Sequence, residues 1–237
     1  MAWWQFWRQW QSLEQQRQAL LKQTPAGPLR DYLAVPFADP GQDFRALDYT
    51  ALDFETTGLD PQKDELLSFG VIDMADMAIY LGSAQHQLIA PQNDIPEASA
   101  VIHAITDDQA AAGIGYRHAL ELLLQRLAGK VLIAHYARLE IGFLNAGCQR
   151  LFGGPFLIPT VDTLLLGRRW IDRRNLYLQQ SDLRLNSLRG RFNLPRYKAH
   201  NALTDALATA ELFQALTVQR MTERHVPLKE LEYRGKY

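Results

Sequence analysis

The chain has 237 residues, 47% hydrophobic and 22% charged, with a formal net charge of −1. This permits one well-packed domain with an appendage, or at most two small domains, and excludes global disorder. A single cysteine, Cys148, excludes an internal disulfide; no run approaches the roughly 18 apolar residues of a membrane span, and the N-terminus lacks the parts of a signal peptide, so the sequence reads as cytoplasmic.

In chain order, Trp3 to Lys22 reads as an amphipathic helix, with Trp3, Phe6/Trp7, Trp10, Leu13 and Leu20/Leu21 at mostly three-to-four spacing. Thr24-Pro-Ala-Gly-Pro28 ends it, and Pro36 and Pro40-Gly41 mark a loop. Asp48 to Phe54, Leu66 to Ile72 and Ala78 to Ile89 read as a three-strand meander, followed by a loop from Pro91 to Pro96. Arg117 to Leu127 is a predicted helix, Val131 to Ala134 a short apolar strand, and Arg138 to Leu151 a helix stopped by Gly153-Gly154-Pro155. Ile158 to Asp162 is a further strand, and Leu183 to Phe192 and Asn201 to Gln219 are helices. A meander followed by alternating strands and helices means an α/β domain with a mixed sheet. The expected division is a helical extension and linker over residues 1–45, a main domain over 46–220, and a tail over 221–237.

Charge is strongly segregated. Asp48 to Tyr116 holds twelve Asp/Glu against one Lys, a balance of −11; Arg168 to Lys198 holds nine Arg/Lys against two Asp, a balance of +7. Such blocks suggest one surface for cations and another for polyanions, or a solvated basic face on an ordinary loop and helix.

Asp53 and Glu55 project to one face at the end of the first strand, because strand residues two apart share a face. Carboxylates this close repel unless a cation sits between them. Glu140 follows the apolar strand, one turn into a helix, and His200 and Asp205 stand at the entrance of the last helix. Taken singly, Asp53 and Glu55 read as a cap and a solvated acid, Glu140 as an exposed helical acid, and His200 as a surface or capping histidine. The combination favours a two-metal phosphodiesterase. Mg²⁺ or Mn²⁺ takes oxygen ligands, and a pair of ions about 3.5–4 Å apart holds both attacking and leaving oxygens. A neutral histidine suits the general base.

At these residues the chain resembles the DnaQ-like, or DEDDh, 3′–5′ exonucleases, which include the proofreading epsilon subunit of bacterial DNA polymerase III and ribonuclease T. Leu52-Asp-Phe-Glu-Thr-Thr-Gly-Leu-Asp60 is nearly the family pattern, and His200 through Ala206 fits the subtype with a histidine base. Ile102-His-Ala-Ile-Thr106, Val161-Asp-Thr-Leu164 and Leu185-Asn-Ser-Leu188 are similar to other family segments. The resemblance spans roughly Ala46 to Leu216. It implies a ribonuclease H-like fold with a five-stranded mixed sheet flanked by helices. It also implies two Mg²⁺ or Mn²⁺ ions held by Asp53, Glu55, Glu140 and Asp205, with His200 as base. Phe54, Thr56, Thr57, Gly58 and Leu59, with His103, would hold the terminal nucleotide. Two departures stand out: Glu140 where the family usually has Asp, and Tyr136, a further candidate substrate contact, where it often has Asn.

The activity so implied is hydrolysis at single-stranded or frayed 3′ ends, DNA favoured, releasing nucleoside monophosphates. The basic block would then lie beside the active centre, with Arg173 and Arg174 on substrate phosphates and Trp170 or Tyr177 on bases. Two alternatives remain: a catalytically weakened nucleic-acid-binding module, and a polymerase-associated proofreading subunit. The Trp-rich helix is read as folding back on its own domain or as binding a protein partner, and no membrane association is expected.

Overall fold

A computed structural model describes residues 12–91, 93, 112–174, 177, 179–198 and 200–233. Trp3, Trp4, Trp7 and Trp10, the 102–106 segment with His103, and most of the predicted loop from Pro91 to Pro96 lie outside the described residues. The meander consists of β1 (Tyr49–Thr56), β2 (Leu66–Ala75) and β3 (Ala78–Leu88). Helix α3 (Tyr116–Leu127) leads to β4 (Val131–Ala134), and α4 (Arg138–Phe152) leads to β5 (Thr160–Asp162). Helices α5 (Thr163–Asp172), α6 (Leu185–Arg191) and α7 (Ala202–Thr217) follow. The sheet order is β3-β2-β1-β4-β5. The meander pairs are antiparallel, whereas β1–β4 and β4–β5 are parallel.

Residue alternation in β1 sends its side chains to two cores. Leu52 and Phe54 pack with α3 and α4, while Tyr49 and Ala51 pack with α7. Both faces are covered, so β1 is buried nearly throughout, as expected of a central strand between helical layers. Edge strand β3 alternates intermediate and exposed residues instead. Gly153 closes α4 in the left-handed region at φ 74°, which a glycine adopts without a Cβ clash.

The fold departs from the sequence expectations at both ends of the chain and in the middle. Before the sheet, α1 (Leu13–Gln23) starts at a Ser12–Gln15 capping box. A second helix, α2 (Pro28–Ala34), forms where a linker was expected. Pro28 was read as a stop but occupies the first helical turn, where its missing N–H costs nothing. Leu29 and Leu33 are buried in the α3/α4 core, and the Tyr32 hydroxyl donates to Leu157 O at 2.7 Å. The described part of the extension therefore folds back on its own domain. Residues after 220 are likewise integrated: Val226, Leu228 and Leu231 are buried with Phe44 and Leu47. Helix α5 was missed because its Arg-rich sequence was read for charge, although Asp162 caps it through Leu164 N at 2.9 Å.

Candidate active site

The site gathers at the carboxyl end of β1. The β1–β2 register shifts between Glu55 and Thr56, a bulge that bends the strand as it leaves the sheet. Asp53 and Glu55 project towards the face that α7 covers. Gly70 pairs with Asp53 across the ladder. A Cβ on Gly70 would lie 2.1 Å from the Ala202 carbonyl carbon, so the glycine lets α7 rest directly on the sheet. Asp205, in the first turn of α7, is thereby brought to the strand end. One carboxylate oxygen each from Asp53, Glu55 and Asp205 lies within 4.8 Å of the others.

Burial raises the Asp53 pKa well above the usual carboxylate range, and the charges of Glu140, Asp205 and Glu55 push it the same way. Burial also raises Asp205; the His200 backbone N–H, donating to its Oδ2 at 2.8 Å, works against this. His200 is exposed and sits at φ 67°, in the left-handed region. That turn aims its N–H at Asp205 while Asn201 caps α7 through Thr204 N at 3.0 Å. The predicted histidine–aspartate spacing thus has a local cause: the cap and the turn share the residues between them.

Glu140 lies outside the trio but beside it. It is 1% exposed on the first turn of α4, and its charge contributes to the Asp53 shift. Burial raises its own pKa, and the Asp162 charge adds to that. Among the described residues its Oε2 has no hydrogen-bond partner, and Asp53, Glu140 and Asp205 form no ion pair with Lys or Arg. Converging carboxylates with an unsatisfied buried oxygen and no competing ammonium suit hard divalent cations.

Asp162 is a residue the sequence reading passed over. Its carboxylate accepts from Tyr136 N at 3.1 Å, Ala137 N at 3.0 Å and Leu164 N at 2.9 Å, so it braces the turn into α4 and the start of α5 together. The brace holds Tyr136 at φ 70°. This conformation suits Asn, the residue the family resemblance leads one to expect there, far better than a bulky aromatic. His135 was also missed. Its Nδ1 meets Thr163 Oγ1 and its Nε2 meets Leu183 O, each at 2.9 Å, and burial lowers its pKa to about 4. The neutral ring ties β4 to the turn before α6. The available signal was its position directly after a fully apolar strand.

The loop leaving β1 carries the predicted terminal-nucleotide contacts. Thr56 donates to Gly58 O at 2.6 Å, and Thr57 Oγ1 accepts from Glu65 N at 2.9 Å. A Cβ on Gly58 would meet the Asp64 carboxylate at 2.4 Å. Leu59 is 77% exposed and free to touch a ligand. The Phe54 side chain is not: it is 4% exposed and meets Phe143 edge-on in the core, leaving only its backbone to the site.

Arg173 and Arg174 need the larger correction. Helix α5 starts at the active end of β5 and carries them away from it. Arg174 lies over Trp170 at 4.0 Å and bonds Gln219, beyond the far end of α7. Asp205 and Thr217 are separated by roughly 18 Å of helix at 1.5 Å per residue. Trp170 also packs on Phe192, at 4.8 Å between centroids. Sequence proximity to His200 misled because the chain makes this excursion before returning. Arg138, exposed on the first turn of α4 two residues before Glu140, is a cation near the site.

The exonuclease family model named for RNase T matches residues 50–213. A PolC-type DNA polymerase III of Thermotoga petrophila is 31% identical over 170 residues, 72% of this chain but 12% of that polymerase. A DNA polymerase III subunit epsilon of Treponema pallidum is 29% identical over 168 residues, covering 71% of this chain and 75% of the subunit. Among solved structures, E. coli Exonuclease I with a dA16 oligonucleotide has a TM-score of 0.62 at 16% identity, covering 74% of this chain and 41% of that one. The nuclease domain of 3′hExo, a DEDDh family member bound to rAMP, also has a TM-score of 0.62, at 18% identity and 76% and 96% coverage. The fold is therefore ribonuclease H-like, and the chain belongs to the exonuclease family in its DnaQ-like branch.

Proposed function

We propose that the chain is a divalent-metal-dependent 3′–5′ exonuclease of single-stranded or frayed ends, DNA favoured, releasing nucleoside monophosphates. The observation carrying this reading is the convergence of Asp53, Glu55 and Asp205 within 4.8 Å, with Glu140 buried beside them. These four residues would hold divalent cations, Mg²⁺ or Mn²⁺, which when bound supply Lewis acidity and neutralise charge at the phosphodiester. His200, exposed at the rim, takes the proton from the attacking water at its imidazole. The Thr56–Leu59 loop orients the terminal nucleotide; Thr57 N donates to Glu65 O at 2.9 Å, and Asp60 N, just beyond the loop, donates to Asp64 at 2.8 Å.

The test is digestion of end-labelled single-stranded DNA and RNA with Mg²⁺, Mn²⁺ or EDTA. One-nucleotide laddering from the 3′ end, lost in EDTA and in Asp53→Asn, is expected. Binding without digestion would favour a second reading, a nucleic-acid-binding module. The observation behind that alternative is that Glu140 stands outside the three-carboxylate cluster. Association with a polymerase is a further proposal, supported by the likeness to a subunit epsilon; co-purification with a replicative polymerase tests it.

A further inference from the structure

Beside the carboxylates, a groove of about 600 Å³ runs between the loop leaving β1 and the first turns of α4. Its lining includes Leu59, Tyr136, Arg138, Leu139 and Tyr233. Leu139 and Ile141 of this wall flank Glu140 in sequence, so the groove adjoins the active site through α4. Tyr233 comes from a segment beyond the family match, held in place by its own N–H donating to Thr160 O at 2.7 Å. Tyr136, Arg138 and Tyr233 line this one space, and burial raises the pKa of the Tyr233 phenol. Tyr136 is 47% exposed and keeps an aromatic ring at φ 70°. A strained backbone under an exposed aromatic points to use of the ring rather than to packing.

We propose that Tyr136 and Tyr233 form a stacking clamp for one unpaired nucleobase upstream of the 3′-terminal nucleotide, with Arg138 on its phosphate. Aromatic faces beside a single cation are the parts that grip a single strand without reading its sequence. A base-paired nucleotide cannot enter, so the clamp selects a single-stranded stretch longer than the nucleotide being removed. This rests on the exonuclease reading above and deepens it.

The test uses the full chain in EDTA and a 5′-fluorescein oligothymidylate, with an abasic residue moved one position at a time through the four nucleotides nearest the 3′ end. Affinity is read by fluorescence anisotropy. In the wild-type chain, one internal abasic position weakens binding about tenfold to a hundredfold, the loss expected of one stacked base. In Tyr136→Asn, which suits the left-handed backbone, and in Tyr233→Leu, that position-specific ratio falls towards one. Thermal melts establish that both variants fold. The absence of any sensitive internal position, or a ratio that survives in either folded variant, overturns the clamp. Position-specific binding by a chain that cuts nothing in Mg²⁺ or Mn²⁺ overturns the exonuclease reading and leaves the clamp standing. Cutting without position-specific binding does the reverse.

Discussion

Gly70 and Ala202 are in contact through backbone alone: no side chain separates β2 from the first turn of α7. The contact lies one strand from Asp53, so it sets the height at which Asp205 meets the other carboxylates. In Gly70→Ala the added methyl meets peptide atoms that no rotamer change can move. The helix must shift, at a cost of about 1–3 kcal/mol. A displacement near 1 Å at the site lowers turnover by about a hundredfold. Thermal melts and single-turnover cleavage check both. Full activity in a folded Gly70→Ala chain would show that the helix position is not what completes the site.

Asp53→Asn separates stability from activity. Without metal, Asp53 is surrounded by the charges of Glu140, Asp205 and Glu55, so the neutral amide relieves repulsion. The variant is expected to melt above the wild type in EDTA and to lose cleavage. Mg²⁺ or Mn²⁺ should raise the wild-type melting temperature through linkage and leave the variant nearly unmoved. Equal shifts in both would place the cation elsewhere.

His135 predicts a pH dependence. Its folded pKa, about 4, lies below the usual 6.5, so the unfolded chain binds the proton first. The stability it contributes is fully present above about pH 6.5 and is lost as pH falls towards 4, up to about 3 kcal/mol across that window. Urea unfolding at pH 7 and 4.5 measures it. His135→Gln should flatten this part of the profile; an unchanged slope would mean other groups carry it.

Arg189 is buried, with Nη1 donating to Ala208 O at 2.6 Å and Nη2 to Pro195 O at 2.8 Å and Glu211 at 2.7 Å. Tyr197 donates to the other Glu211 oxygen at 2.8 Å. This cluster fastens the loop that leads to His200 onto α7. Arg189→Met leaves Glu211 without its cation and should cost about 3–5 kcal/mol, as expected for a broken buried pair. Arg189→Met with Glu211→Leu should recover part of it. Chemical denaturation of the two variants decides: no recovery in the double variant would mean that the backbone carbonyl contacts dominate.

Arg173→Ala with Arg174→Ala should leave the salt slope of oligonucleotide binding unchanged, since these residues sit at the far end of α5. Arg138→Ala should reduce the slope by about one, the signature of one lost phosphate contact. Titrations across salt concentration compare them, and a reduced slope in the first variant would return the distal arginines to the substrate path.

The sheet was legible because its strands announce themselves: Val131 to Ala134 is wholly apolar, and Asp53 and Glu55 interrupt the end of an apolar run. The carboxylates were legible for the same reason, as charges where a core pattern predicts none. Less legible were residues whose role depends on where the chain goes between motifs. Asp162 looks like an ordinary helix cap until the turn into α4 is seen against it. Phe54 sits inside the acidic motif, yet strand alternation sends it to the opposite core. Arg173 and Arg174 are near His200 along the chain only. Tyr233 lies in a segment that carries no motif and acquires meaning from the groove wall it completes.

Helix α7 both seals one face of the sheet and delivers Asp205. During synthesis, domains fold as their residues emerge, and this helix leaves the ribosome after every other carboxylate of the cluster. A nascent chain that stops short of it exposes Ala51, Ile72, Val131 and Ile133 and also lacks Asp205. On the exonuclease reading, such a truncated chain would lack a complete carboxylate cluster as well as a covered sheet, so catalytic competence and a closed core would arise in the same step.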